Sequence, residues 1–148
     1  MPSYITIAEG QAYMDLRLHT RAWECASASE QTKAIAMATN IIDRLNYLGC
    51  KTDAAQVNQF PRLDDTDIPQ DVKNATSEIA LALLDGVEPE LEYENLQLRS
   101  QGIGTARSNF NKTPPPPHTV AGIPSVTAWR YLMPYLRDPN ELDIFRIS

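Results

Sequence analysis

DIPQDVKNATSEIALALLDG, residues 67–86, decides the fold class. Val72, Ala75, Thr76, Ile79 and Leu83 recur at the three- and four-residue spacing that lines one face of an α-helix. Pro69 falls in the first turn, where a missing N–H costs nothing. Asp67 is placed to cap the helix, and Asp85-Gly86 to end it.

Toward the N-terminus two more helices announce themselves by the same start signal. Thr6-Ile7-Ala8-Glu9 and Ser27-Ala28-Ser29-Glu30 both have the form of a capping box. The first predicts a helix over 7–18, with Ile7, Ala8, Ala12 and Leu16 at helical spacing. The second predicts a helix from the Ser27 cap to about residue 46, with Ile35, Ala38, Ile41, Ile42 and Leu45 on one face and Gly49 as its stop. Residues 50–66 have no period and read as a loop that packs Phe60 and Leu63 back onto the helices.

Toward the C-terminus the pattern changes. Leu96-Gln97-Leu98-Arg99 alternates, Gln101-Gly102 can turn, and 103–110 can return, so a β-hairpin is expected over about 94–110. Gly102 and Gly104 suit the positive φ angles of a tight turn. Four prolines, 114–117, form a stiff spacer. A fourth helix starts at Ile123-Pro124-Ser125 and carries Trp129, Leu132, Met133 and Leu136, with Pro134 loosening its end. Beyond it lies an apolar arm, 137–148, set off by Asp138-Pro139. The expected fold is therefore mainly α: a four-helix bundle with an inserted β-hairpin and an extended C-terminal arm, one domain over 1–148.

A chain of 148 residues can bury a sufficient core without disulfides or a metal. Cys25 and Cys50 are too few and too isolated for a disulfide framework and read as partly buried free thiols. No apolar run approaches a bilayer span, and the first ten residues lack the basic start and apolar stretch of a signal peptide, so no membrane partner is expected. The Asn111-Lys112-Thr113 sequon is read as accidental on the same ground.

The net charge of -6 is unevenly spread. Residues 1–63 balance six bases against six acids; 64–95 hold ten acids against Lys73 alone; 96–148 hold six bases against three acids. A protein that grips nucleic acid by counterion release wants a dense basic face, and this distribution does not supply one. Opposed charge along the chain suits contact between copies or with a differently charged partner.

No catalytic constellation emerges. Gly102-Ile103-Gly104 is a fragment of a phosphate loop followed by a strand-like stretch. His19 and His118 stand apart from any serine elbow or metal-ligand cluster. Asp64, Asp65 and Asp67 lack the glycine and terminal glutamate of a calcium loop, and Glu92 and Glu94 sit in an exposed acidic run. Trp129 falls at core spacing rather than on a base-stacking face. No enzyme activity, metal or cofactor is expected.

Several stretches together resemble one family of phage proteins. They are Ser3-Tyr4-Ile5-Thr6, Ile41-Ile42-Asp43-Arg44-Leu45-Asn46, Gly49-Cys50-Lys51-Thr52, Ile68-Pro69-Gln70-Asp71-Val72-Lys73, Ala80-Leu81-Ala82-Leu83-Leu84, Glu90-Leu91-Glu92-Tyr93 and Pro124-Ser125-Val126-Thr127-Ala128-Trp129-Arg130. That group carries the label DnaT-like single-stranded-DNA-binding protein, and its order of elements is also similar to the head-to-tail adaptors, or connectors, of tailed phages.

The adaptor resemblance implies a structural virion protein of the neck. Identical copies form a ring, typically a dodecamer, beneath the portal protein, and genomic duplex DNA passes through the lumen without specific binding. A head-closure, neck or tail-terminator protein docks below, after assembly in the host cytoplasm. The DnaT-like label implies the rival, a replication accessory that binds single strands. The acidic balance favours the adaptor, and the acidic third helix disfavours a duplex-binding helix-turn-helix.

In the adaptor reading, the hairpin residues Arg99, Gln101, Ile103 and Arg107 contact a neighbouring subunit or the lumen. The arm residues Arg137, Leu142, Ile144, Phe145, Arg146 and Ile147 contact the portal or a neighbour.

Overall fold

The computed structural model of the chain describes residues 2–97, 100–103, 106–109 and 114–138. Among them are seven α-helices: α1 (Ile7–Met14), α2 (Arg21–Cys25), α3 (Ala28–Asp43), α4 (Gln70–Leu84), α5 (Pro89–Gln97), α6 (Pro117–Val120) and α7 (Val126–Leu132). A 3-10 turn, Met133–Tyr135, follows α7.

The centre of the molecule is α4. Eight consecutive-turn positions on it are buried, among them Val72, Ala75, Ile79 and Leu81, because α3 covers one side and α7 another, while α1 and α2 close the rest. Burial this complete needs small residues and satisfied hydroxyls. Thr76 and Ser77 provide both, donating to the Val72 and Lys73 carbonyls one turn back.

The two capping boxes form as the sequence predicts. Thr6 and Ser27 each accept from the N3 backbone N–H, and Glu9 and Glu30 reach back to the cap N–H. Gly10 of α1 lies against the Trp23 ring. A Cβ there would stand 2.8 Å from the ring edge, so glycine is what lets α1 sit this close to the fully buried indole. Tyr4 binds α3 through its N–H, which donates to the Thr39 hydroxyl.

Residues 50–66 are a loop, but a well-anchored one. Phe60 is buried between the rings of Tyr4, Tyr47 and Tyr135, all edge-on, with centroids 4.7 to 6.0 Å away. Arg62 is buried behind it and donates to the carbonyls of Tyr47, Leu48, Gly49 and Gln59. Leu63, expected to pack beside Phe60, instead stands 62 % exposed.

The expected fold, a four-helix bundle with an inserted β-hairpin and an extended arm, is corrected to a helical arrangement with seven α-helices among the described residues, and the arm beyond Asp138 lies outside them. The described core comes from helices, the loop and the N-terminal segment, and short helices appear where the sequence showed no period. α2 has no side-chain cap and only five residues; burial of Trp23 holds it. α5 forms in the acidic run, with Pro89 at its first position and Glu90 and Glu92 in the first turn, where the helix dipole favours negative charge. Residues 100–103 and 106–109 pair as two four-residue antiparallel strands, a minor feature of a helical protein.

Several boundaries also shift. α1 ends at Met14, four residues early, leaving Leu16 93 % exposed instead of on a buried face. α3 stops at Asp43, and the positive φ of Gly49 serves the turn beyond rather than the helix end. Pro69, not Asp67, occupies the cap position of α4. Pro117 begins α6 instead of ending a spacer. Pro134 does force a looser 3-10 ending after α7, which rotates Met133 out to solvent. Arg137, assigned to a detached arm, is tied to the body: its N–H donates to the Asn46 carbonyl.

Lys73 joins α4 to α1 by an ion pair with Glu9, Nζ to Oε1 2.7 Å. That bond, aided by the Thr6 backbone N–H, holds the Glu9 carboxyl at about 2, below its ordinary 4.5. A depressed carboxyl stabilises the fold above pH 4.5 and loses that contribution as pH falls toward 2. Glu9 is 43 % exposed, so solvent screening limits the effect to about 0.2–1 kcal/mol. Stability measured by denaturant titration should therefore fall less steeply over that acid range in Lys73→Met than in the parent chain.

Candidate functional site

Chemistry-bearing side chains do not converge among the described residues. No three His, Cys, Asp or Glu side chains there are grouped to hold a metal. His19 is exposed at a positive φ in the turn after α1, and His118 lies beside the Thr119 hydroxyl at 3.3 Å. Cys25 and Cys50 are both exposed, not partly buried as expected. Cys25 closes a helix too short to cover its thiol, and Cys50 lies in the turn that Arg62 braces. Among the described residues no helix is long and apolar enough to cross a membrane.

Two open depressions on the described surface bear on function. The larger, about 740 Å³, runs along the outer face of α3 to the turn between α4 and α5 and the turn after α6. Its floor is apolar: Ala34, Met37 and Ile41 from α3, Leu83 and Leu84 from α4, and Val87. Lys33 and Arg44 also line it, as do Glu88 and Glu90, which begin the acidic run. The outward stripe Lys33, Met37, Ile41, Arg44 is a second helical period on α3, visible in the sequence once the buried stripe is set aside.

The second depression lies between α1 and α4 and is lined by Tyr13, Leu16, Lys73, Asn74 and Tyr131. Beneath it Glu78 is buried, accepting from the Tyr13 hydroxyl at 2.8 Å and from two nitrogens of Arg17. Burial first, then the hydrogen bond to Glu78, pushes the Tyr13 hydroxyl above its ordinary value, and the same carboxylate raises Arg17. With its oxygens occupied by fixed partners, Glu78 is a structural group rather than a proton-transfer group.

Of the residues singled out by sequence, Gln101, Ile103 and Arg107 fall in the paired strands, opposite Ser108, Ala106 and Gly102 respectively. Arg99 lies outside the described residues, as do Leu142, Ile144, Phe145, Arg146 and Ile147. Arg137 is exposed at the end of the described chain.

A family model described as "Putative DnaT-like ssDNA binding protein" matches residues 1–113. It takes in α1 through α5 and the basic stretch 96–113, and stops before the prolines and α7. No curated protein matches the chain, and no solved structure does. The match extends over 113 of the 148 residues, and the chain belongs to this family of DnaT-like single-stranded-DNA-binding proteins.

Proposed function

We propose that the chain is a phage-encoded, DnaT-like accessory protein that binds single-stranded nucleic acid without catalysing a reaction. The family match carries this reading. It displaces the neck adaptor as the leading function, because that role had rested on the acidic balance and the resemblance in element order alone. The acidic balance limits affinity but does not exclude binding through one local stretch.

That stretch is 96–113. It contains Arg99, Arg107 and Lys112, no acid, and the aromatic Phe110, and it lies entirely within the matched region. Cationic side chains close together in sequence, with an aromatic ring for a base, are the usual elements of sequence-blind single-strand binding. The neighbouring acids of α5 oppose the same phosphates, so binding should be weak and strongly dependent on salt.

Fluorescence anisotropy of a labelled oligothymidylate tests this. Three phosphate contacts predict a slope of log affinity against log salt of about -2. Arg99→Glu with Arg107→Glu should remove most of the binding and leave the helical circular dichroism intact. Absence of binding by the parent chain at low salt would overturn the reading.

A second reading keeps the ring-forming neck adaptor, bound to portal above and a tail-side protein below. The observation favouring it is the opposition of the acidic residues 64–95 to the basic stretch that follows. Heterologous contact between the two would close a ring. In that case the same double reversal abolishes a large assembly seen by native mass spectrometry, and single-strand affinity is negligible in both proteins.

A further inference from the structure

The two most exposed large apolar side chains among the described residues sit together, in the turn between α1 and α2. Leu16 is 93 % exposed and Leu18 80 %. We propose that this turn seats in the α3 groove of a second copy, so that the chain associates head to tail.

The turn is braced to present these leucines outward. Arg17 stands between them in sequence, and its Nε and Nη2 donate to the buried Glu78 carboxylate. Its Nη1 donates to the Leu18 carbonyl at 2.7 Å and to the His19 carbonyl at 3.5 Å. One side chain therefore ties the turn to α4 and fixes the backbone that carries Leu18. His19 completes the turn at a φ of 63°, uncommon for any residue but glycine. A turn held in this way loses little freedom on binding, so burial of its leucines goes mostly into affinity.

The turn can enter the groove only on another copy. Leu16 and Arg17 line the depression between α1 and α4, whereas the described lining of the α3 groove begins at Glu30. With Arg17 fixed to Glu78, the turn cannot swing from one to the other within a chain. Met37, Ile41, Leu83, Leu84 and Val87 give the groove an apolar floor for the two leucines. Met37 is itself 53 % exposed, so contact removes apolar area from water on both sides. Both surfaces also carry both signs of charge. Arg21, beyond the leucines, suits Glu88 and Glu90, and Asp15, before them, suits Lys33 or Arg44; all six are exposed. Such pairing sets register more than affinity. The contact joins two different surfaces, so each pair keeps one turn and one groove for further copies. It uses no residue of 96–113 and is independent of single-strand binding.

Sedimentation of the full chain without nucleic acid tests it, in reductant because Cys25 and Cys50 are exposed. The parent should gain mass as its concentration rises. Leu16→Asp with Leu18→Asp removes the apolar surface of the turn, and Met37→Glu puts a charge on the groove floor. All three positions are exposed, so the helical circular dichroism of both variants should match the parent. Each variant alone should associate roughly tenfold more weakly or worse. Mixed together, they bring one intact groove and one intact turn, and should form a 1:1 dimer that grows no further. A parent that stays monomeric at every concentration would overturn the proposal, and so would variants that associate as the parent does. A mixture that remains monomeric would overturn it as well, since two surfaces that fit each other must complement.

Discussion

Phe60→Ala should destabilise the chain by about 3–5 kcal/mol, the range for deleting a fully buried aromatic ring. Phe60 is 3 % exposed and touches the edges of Tyr4, Tyr47 and Tyr135, which arrive from the N-terminal segment, the end of α3 and the 3-10 turn. One side chain from a loop therefore joins three parts of the chain distant in sequence. Its removal opens a cavity that three tyrosines cannot easily fill, because their hydroxyls are committed. Tyr4 donates to Asp43 and accepts from the Gln59 and Phe60 N–H groups, and Tyr47 donates to the Ile42 carbonyl. Phe60→Leu should cost less, by retaining part of the volume. Leu63→Ala, three residues on and largely exposed, should fall within about 0.5 kcal/mol of the parent. Urea midpoints measure all three, and equal losses for Phe60→Ala and Leu63→Ala would show that the loop is not anchored through its ring.

That loop also marks where the sequence stops being informative. The helices with local signals, capping boxes at Thr6 and Ser27 and the apolar stripe from Val72 to Leu83, are all present. Their starts are encoded within four residues, so no tertiary information is needed. α2 has no such signal: it exists because Trp23 is buried against Gly10 and α4, a contact no local pattern reports. α5 was hidden by the opposite problem, an acidic composition that resembles a solvated loop until Pro89 and the early glutamates are read as a helix start. Asp67 looked like a cap, but the chain enters α4 through Pro69, and the Asp67 carboxylate accepts from Thr66 instead.

The candidate sites were legible to different degrees for the same reason. The basic stretch 96–113 is a property of composition and needs no fold to be seen. The α3 groove needs both the outward stripe on α3 and the knowledge that α4 and α5 turn back beside it, a long-range relationship set by the α3–α4 packing. Glu78 reads in the sequence as one polar position on an amphipathic helix. In the fold α4 is enclosed on nearly all sides, which turns an ordinary surface glutamate into a buried charge that requires partners.

Arg17→Met should therefore cost about 3 kcal/mol, the lower end of the range for removing one member of a buried ion pair. Glu78 is 3 % exposed, and Arg17 supplies two of its three hydrogen bonds, leaving the Tyr13 hydroxyl as sole donor in the variant. The lower end applies because Arg17 is itself about one-third exposed, so water can reach the vacated side. Glu78→Gln should lose less than Arg17→Met, since a neutral amide oxygen still accepts from Tyr13 without stranding a charge. The decisive comparison is the double variant Arg17→Met, Glu78→Leu. If the penalty comes from an unpartnered buried carboxylate, removing that carboxylate restores stability, and the double variant is more stable than Arg17→Met alone despite carrying one more substitution. Strong non-additivity of this sign is expected when the two groups act as one unit. Thermal and urea unfolding of the parent, Arg17→Met, Glu78→Leu and the double variant measure it. A double variant less stable than either single change would show instead that Arg17 and Glu78 hold α1 to α4 mainly through packing of their stems.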